Sequence, residues 1–192
     1  MLEAKHSLKL ILAIFAAIQL SCSAAPPGTS PITWDDCGGQ VGDHACDFTF
    51  MSQTGDEWNL YEHYGKIVVL DFSAMWCGYC QKAAEVAQQI QDDNPGVVWV
   101  TILLQNNYGQ QPSLDELAEW AAAFEVTSSP ILSGNTGIID QTGEDGFNVK
   151  SWPGLVVIDR DMTIAYQLHG WNEAQIKAWL KSLAAKTRDG GA

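Results

Sequence analysis

Positive charge is what this chain most lacks. Ten Lys and Arg stand against 23 Asp and Glu, for a net charge of −13 and a pI near 4.4. A nucleic-acid partner would demand a basic stripe, so that class is excluded. The acidic residues are spread rather than blocked, which reads as a soluble, monomeric surface kept apart by charge. Cysteines number five in 192 residues. Cys77 and Cys80 form a Cys-X-X-Cys pair, but no second such pair and no His-X-X-X-His follows to complete four ligands. A zinc site is therefore not expected, and no metal with it. Apolar length is missing too: the run Leu10 to Leu20 falls short of the roughly 20 residues that cross a bilayer. What remains is 46% hydrophobic and 17% charged, ordinary for a globular chain with one sizeable core.

Lys5, His6 and Lys9 ahead of that apolar run make residues 1–21 a targeting segment. The run closes Ile18-Gln19-Leu20-Ser21-Cys22. Cysteine after a small residue there resembles the bacterial lipoprotein cleavage site, which implies lipidation of Cys22 and membrane contact through that anchor alone. Ordinary cleavage near Ser23-Ala24-Ala25, with Cys22 discarded, is the alternative, and a retained anchor is a third. Either cleavage implies export to the periplasm or cell envelope. Four cysteines then remain, Cys37, Cys46, Cys77 and Cys80. Two pairs in an oxidising compartment suggest one catalytic and one structural disulfide.

Residues 22–46 read as a Pro-rich tether followed by a loop, Cys37-Gly-Gly-Gln-Val-Gly-Asp-His-Ala-Cys46. A Cys37–Cys46 bridge would staple it, worth about 2–3 kcal/mol in the chain-entropy model. The alternative is a second redox pair that passes electrons to Cys77. His44, between the two cysteines, is expected to face solvent.

The centre of the chain is Lys66-Ile-Val-Val-Leu-Asp71-Phe-Ser-Ala-Met-Trp76-Cys77-Gly78-Tyr79-Cys80. Ile67 to Leu70 is a continuous apolar run, as in a strand buried on both faces. Ala83, Val86, Ala87 and Ile90 then follow helical spacing. The two cysteines sit where strand gives way to helix. Unpaired N–H groups and the macrodipole favour a thiolate there. In that setting the first thiol's pKa falls from about 8.5 into the range of roughly 3.5–7.5. Cys77 is thus the candidate nucleophile and Cys80 the resolving thiol.

Around this unit, Phe48–Phe50 and Glu57–Leu60 flank a turn at Gln53-Thr-Gly55-Asp56, a β-hairpin ahead of the core. Asn94-Pro95-Gly96 stops the central helix near Asp92 or Asp93. Val97–Leu104 reads as a second central strand, and Ser113-Leu-Asp-Glu116 as the capping box of a helix. That helix would turn Leu114, Leu117, Ala118, Ala121 and Phe124 inward. Trp99 and Trp120 read as core or groove aromatics. Residues 128–150 suggest a short strand and loop. Leu155–Ile158 and Thr163–Leu168 form a second hairpin, and a closing helix over Ala174–Ala184 buries Ile176, Trp179, Leu180 and Leu183. The order, hairpin, βαβ, α, ββα, predicts an α/β domain over 47–187. Its central mixed sheet would carry helices on both faces, with a flexible tail at 188–192.

Asp71-Phe-Ser-Ala-Met-Trp-Cys-Gly-Tyr-Cys resembles the thioredoxin superfamily active-site segment: buried acid, aromatic and Trp-Cys-X-X-Cys at the same offsets. The leading hairpin narrows this to TlpA-like and AhpC/TSA-type redoxins. The resemblance implies a thioredoxin-like fold with an N-terminal β-hairpin extension, and protein thiol–disulfide exchange without a cofactor. It implies that Asp71 relays the Cys80 proton, that Trp76 shields the dithiol, and that Pro153 is the cis-proline facing it. Trp152 and Pro153 would pair with an extended substrate segment. Trp152 stands where Thr or Val is common. A membrane electron donor is implied by family alone. Gly78-Tyr79 resembles disulfide isomerases and the N-terminal extension resembles reductive TlpA-like proteins, with reductase the favoured direction. A peroxiredoxin-like peroxidase is the runner-up, although Ala74 occupies the place where that chemistry needs Thr or Ser. A non-catalytic redoxin-fold module is the third reading, and for metal transfer the fold would have to carry His169 to the motif.

Overall fold

A computed structural model of the chain describes residues 32–186. The targeting segment, Cys22 and its lipidation, the tether up to residue 31 and the 188–192 tail lie outside the described residues. Two compact units divide the chain, Met1–Ile32 and Thr33–Ala192, and every element below belongs to the second.

In chain order the elements are β1 (Thr49–Met51), β2 (Glu57–Asn59), β3 (Ile67–Ala74), α1 (Gly78–Asp93), β4 (Val97–Gln105) and α2 (Leu114–Ala123). Then come β5 (Ile131–Ser133), β6 (Ile139–Asp140), β7 (Phe147–Asn148), β8 (Gly154–Ile158), β9 (Ile164–His169) and α3 (Glu173–Ala185). β1 and β2 form the leading hairpin. The main sheet has the order β5-β4-β3-β8-β9. β3, β4 and β5 run parallel, β8 is antiparallel to β3, and β9 is antiparallel to β8. This is the mixed sheet and hairpin extension that the resemblance implies. Every residue of β3 is buried, as its apolar run predicts, and the strand continues four residues past Leu70 to Ala74.

The helices, however, share one face. Ile67, Val69, Trp99 and Val157 point to the side that α1 and α3 cover with Ala87, Ile90, Ile176, Leu180 and Leu183. α2 reaches the same side near β5, where Leu117 and Trp120 meet Leu103, Ile131 and Ala84 of α1. The reason is topological. β3 to β4 and β4 to β5 step in one direction across the sheet, and right-handed crossovers then place both connecting helices on one face. The opposite face, Val68, Leu70, Phe72, Val100 and Ile102, is covered by Trp58, Leu60, Phe147, Val149 and Ala45. The hairpin, the disulfide loop and the residues after β5 therefore do the work expected of a helix layer.

Two smaller expectations are corrected as well. On α2 only Leu117 and Trp120 are buried, with Ala121 and Phe124 half-buried, while Leu114 and Ala118 are exposed. A helix at the sheet edge touches the core with a narrow stripe. The capping box itself is present, Ser113 accepting from the Glu116 N–H and the Glu116 carboxylate accepting from the Ser113 N–H. His44 does not simply face water: it is half-buried and stacks on Trp34 at 3.9 Å between ring centroids.

The Cys37–Cys46 loop is part of the compact unit. Its backbone continues the β9 edge, with the Ala45 N–H bonded to the Met162 carbonyl at 2.9 Å and the Ile164 N–H to the Asp43 carbonyl at 2.9 Å. Gly39 lies against the segment before β7 so closely that a Cβ there would sit 1.8 Å from the Gly146 carbonyl oxygen. Only glycine fits that approach.

Candidate active site

β3 and α1 together build the candidate site. After Ala74 the chain leaves the sheet, and Cys77 becomes the N-cap of α1 with extended backbone, φ −87° and ψ 112°. Its sulfur accepts the Cys80 backbone N–H at 3.2 Å, one of the donors that a helix start leaves unpaired. Cys77 and Cys80 are disulfide-bonded with Cα atoms 5.2 Å apart. The pair is asymmetric: Cys77 keeps 7% of its surface in solvent and Cys80 none. An incoming group can meet only the first sulfur.

The surroundings are aromatic. Trp152 packs on the small cluster of Ala74, Cys77 and Cys80. Trp76, 51% exposed, lies 6.2 Å from Trp152 between ring centroids. Its indole N–H donates to the Gln105 side-chain oxygen at 3.1 Å, which holds the ring at the end of β4. The Trp152–Pro153 peptide bond is cis, and the Pro153 carbonyl accepts the Gly170 N–H at 2.8 Å. Pro153 leads into β8, whose Gly154 pairs with Phe72 on β3 and His169 on β9. Sheet register thus brings the distant 150–153 loop to the dithiol. Trp152 also borders a cavity of about 340 Å³ lined by Ile139, Gln141, Val149 and Lys150.

Asp71 lies on β3 with none of its surface exposed. Side chains alternate along a strand, so Asp71 shares the face of Ile67 and Val69, the face that α1 covers. Burial pushes its carboxyl from 3.8 up to about 7, while hydrogen bonds from Ser73 and Thr101 pull the other way. The Ser73 hydroxyl donates to one carboxylate oxygen at 2.5 Å and the Thr101 hydroxyl reaches the other at 3.5 Å. A carboxyl poised near neutrality both takes and releases a proton at pH 7.

Ser73, Thr101 and Gln105 were not singled out from the sequence. Ser73 and Thr101 are lone hydroxyls inside apolar runs, and that signal was available. Cys37 and Cys46 are bonded to each other, Cα atoms 4.9 Å apart, in the loop beside β9. His169 stands opposite Gly154, its Nδ1 accepting the Lys150 N–H at 3.4 Å, and burial and Lys150 lower its pKa. Among the described residues no group of three or more His, Cys, Asp or Glu side chains is placed to hold a metal ion. Among them, too, no helix is long and apolar enough to cross a membrane.

Residues 41–167, from the disulfide loop through most of β9, match the sequence model of the AhpC/TSA family. The chain belongs to the AhpC/TSA family. This AhpC/TSA protein is 27% identical over 124 residues to the thioredoxin-like protein YneN of Bacillus subtilis, covering 65% of this chain and 68% of YneN. It is 33% identical over 66 residues to a thioredoxin H-type of Oryza sativa subsp. indica, a match covering 34% of this chain and less than half of the rice protein, 46%. Its fold matches that of a DsbE-type thiol:disulfide interchange protein of Chlorobium tepidum at a TM-score of 0.58 and 25% identity, over 76% of this chain and 96% of that one. It matches the pneumococcal exposed lipoprotein thioredoxin Etrx1 of Streptococcus pneumoniae at 0.59 and 25%, over 72% of this chain and all of Etrx1. This AhpC/TSA protein has the thioredoxin-like fold and is of the DsbE/thioredoxin type of thiol–disulfide oxidoreductase.

Proposed function

We propose that the protein is exported and reduces disulfides of protein substrates through Cys77 and Cys80. The observation that carries this reading is the asymmetry of the pair: an N-cap sulfur with a face to solvent, and a wholly buried partner behind it. In the reduced enzyme the Cys77 thiolate attacks one sulfur of a substrate disulfide. A Cys77–substrate mixed disulfide forms and the other substrate sulfur leaves as thiolate. Cys80 gives its proton to Asp71 and attacks the Cys77 sulfur. The second substrate thiolate departs, and the enzyme is left as the two-electron-oxidised Cys77–Cys80 disulfide. A dithiol donor, membrane-bound by family analogy, restores the thiols. Trp76 shields the pair, and the Trp152–Pro153 backbone pairs with an extended substrate segment by strand addition. Cys37–Cys46 is a structural staple.

The envelope location follows the exposed lipoprotein thioredoxin and the DsbE-type relative, and it agrees with a targeting segment over 1–21, with Cys22 as the lipidated residue. The chain acts as a monomer whose domain begins with the disulfide loop and ends near residue 187. The direction, reductase rather than isomerase or oxidant, rests on the likeness of the N-terminal extension to reductive TlpA-like proteins.

Insulin reduction by the wild type, Cys77→Ser and Cys80→Ser tests this. The wild type is expected to precipitate insulin, Cys77→Ser to be inactive, and Cys80→Ser to accumulate a mixed disulfide. Equal activity in Cys77→Ser, or consumption of peroxide with no insulin reduction, would refute the reading. A reduction potential near the oxidising end of the superfamily, about −120 mV, would reverse the direction.

A further inference from the structure

We infer that Ser73 and Thr101 are positioning residues that set the proton affinity of Asp71, and with it the pH at which the dithiol exchanges. The inference rests on the reading of Asp71 as the proton acceptor for Cys80. Fully or nearly buried polar side chains are few among the described residues: Ser52, Asp71, Ser73, Thr101, Asn106, Ser129 and Ser133. Three of these meet at one point, one carboxylate oxygen facing each hydroxyl.

Register produces the arrangement. Thr101 is the residue paired with Asp71 across the parallel β3–β4 ladder. Ser73, two residues along β3, returns to the same face. On the other flank Asp71 pairs with Leu155, which offers no polar atom. The ion pairs of the described residues involve Arg160, Lys177 and Lys186, none of them with Asp71. An acid buried without a cation depends on hydrogen-bond donors to carry any charge at all. A hydroxyl suits both states, since it donates to the carboxylate and accepts from the carboxylic acid.

The two hydroxyls are not equal. The Ser73 bond, 2.5 Å, falls in the range of about 2.5–2.7 Å for a hydroxyl on an ionised oxygen. The Thr101 contact, 3.5 Å, is at the limit for such a bond. Ser73 therefore dominates and Thr101 assists.

The experiment follows the Asp71 carboxyl by 13C NMR through a pH titration of the full chain. The pH profile of insulin reduction is measured beside it. Ser73→Ala removes the shorter bond and is expected to raise the Asp71 midpoint by about one unit or more. The isosteric Thr101→Val raises it less, and Thr101→Ser restores the wild-type value. Thermal melts verify folding, and Thr101→Val with its Ser rescue keeps the test available should Ser73→Ala fold poorly. An Asp71 midpoint unmoved in Ser73→Ala, or moved more by Thr101→Val than by Ser73→Ala, overturns the inference. Asp71→Asn separates the two levels. If it leaves the insulin profile unchanged, the role of Asp71 in exchange fails, whereas the titration alone decides whether the hydroxyls govern the acid.

Discussion

Replacing Asp71 by Asn should make the protein more stable at neutral pH, and the size of the gain follows from burial. The carboxyl titrates near 3.8 when exposed to water and near 7 in the fold, because desolvation outweighs its hydrogen bonds. Between those values the folded state holds a proton that the unfolded chain has released, so stability falls as pH rises through the window and levels off above about pH 7. At about 1.4 kcal/mol per unit, that gap costs about 4 kcal/mol once the acid is ionised in both states. Below pH 3.8 both states are neutral and the cost vanishes. Asn is nearly isosteric and stays neutral, and of the Ser73 and Thr101 hydroxyls one can accept from its amide N–H while the other donates to its amide oxygen. Urea unfolding of the oxidised wild type and variant, compared pairwise from pH 4 to pH 8.5, isolates this one group. The curves should nearly coincide at pH 4 and diverge with rising pH, with the variant ahead by up to about 4 kcal/mol above pH 7. A difference that stays constant over the range, or a variant that is weaker at pH 8, would refute the assignment of Asp71 as a buried acid ionised at a cost.

Cys37→Ser with Cys46→Ser should lower stability by about 2–3 kcal/mol and leave the Cys77–Cys80 potential where it was; a shifted potential would favour the relay over the staple. Gly39→Ala must displace backbone, because its Cβ would fall 1.8 Å from the Gly146 oxygen. A loss above about 1 kcal/mol is expected in a thermal melt, and an unchanged midpoint would deny the close approach. Ser113→Ala removes the cap of α2 and should cost about 1 kcal/mol, while Ser113→Asp should cost little; calorimetry distinguishes them.

The βαβ unit was legible because its signals are local. The apolar run of β3, the small apolar stripe of α1 and the stop at Asn94-Pro95-Gly96 lie within a few residues of the structures they specify. The same holds for the Ser113–Glu116 capping box and the hairpin turn at Gly55. The layering was not legible. A helix's amphipathic stripe says that it packs against something, not which side of the sheet receives it. That choice came from the order of β3, β4 and β5. Nor could the sequence place His44, whose stacking on Trp34 depends on where the disulfide loop docks.

Within the candidate site the division is the same. The sequence by itself determined that two cysteines straddle a strand-to-helix junction and that an acid sits six residues upstream in an apolar strand, because chain connectivity alone brings them together. Only the tertiary structure decided that Trp152 closes over the sulfurs, that Gln105 holds Trp76, and that Thr101 meets the acid. Those contacts arise from sheet register, in which residues 30 or 80 positions apart become neighbours through backbone hydrogen bonds that no short window of sequence encodes.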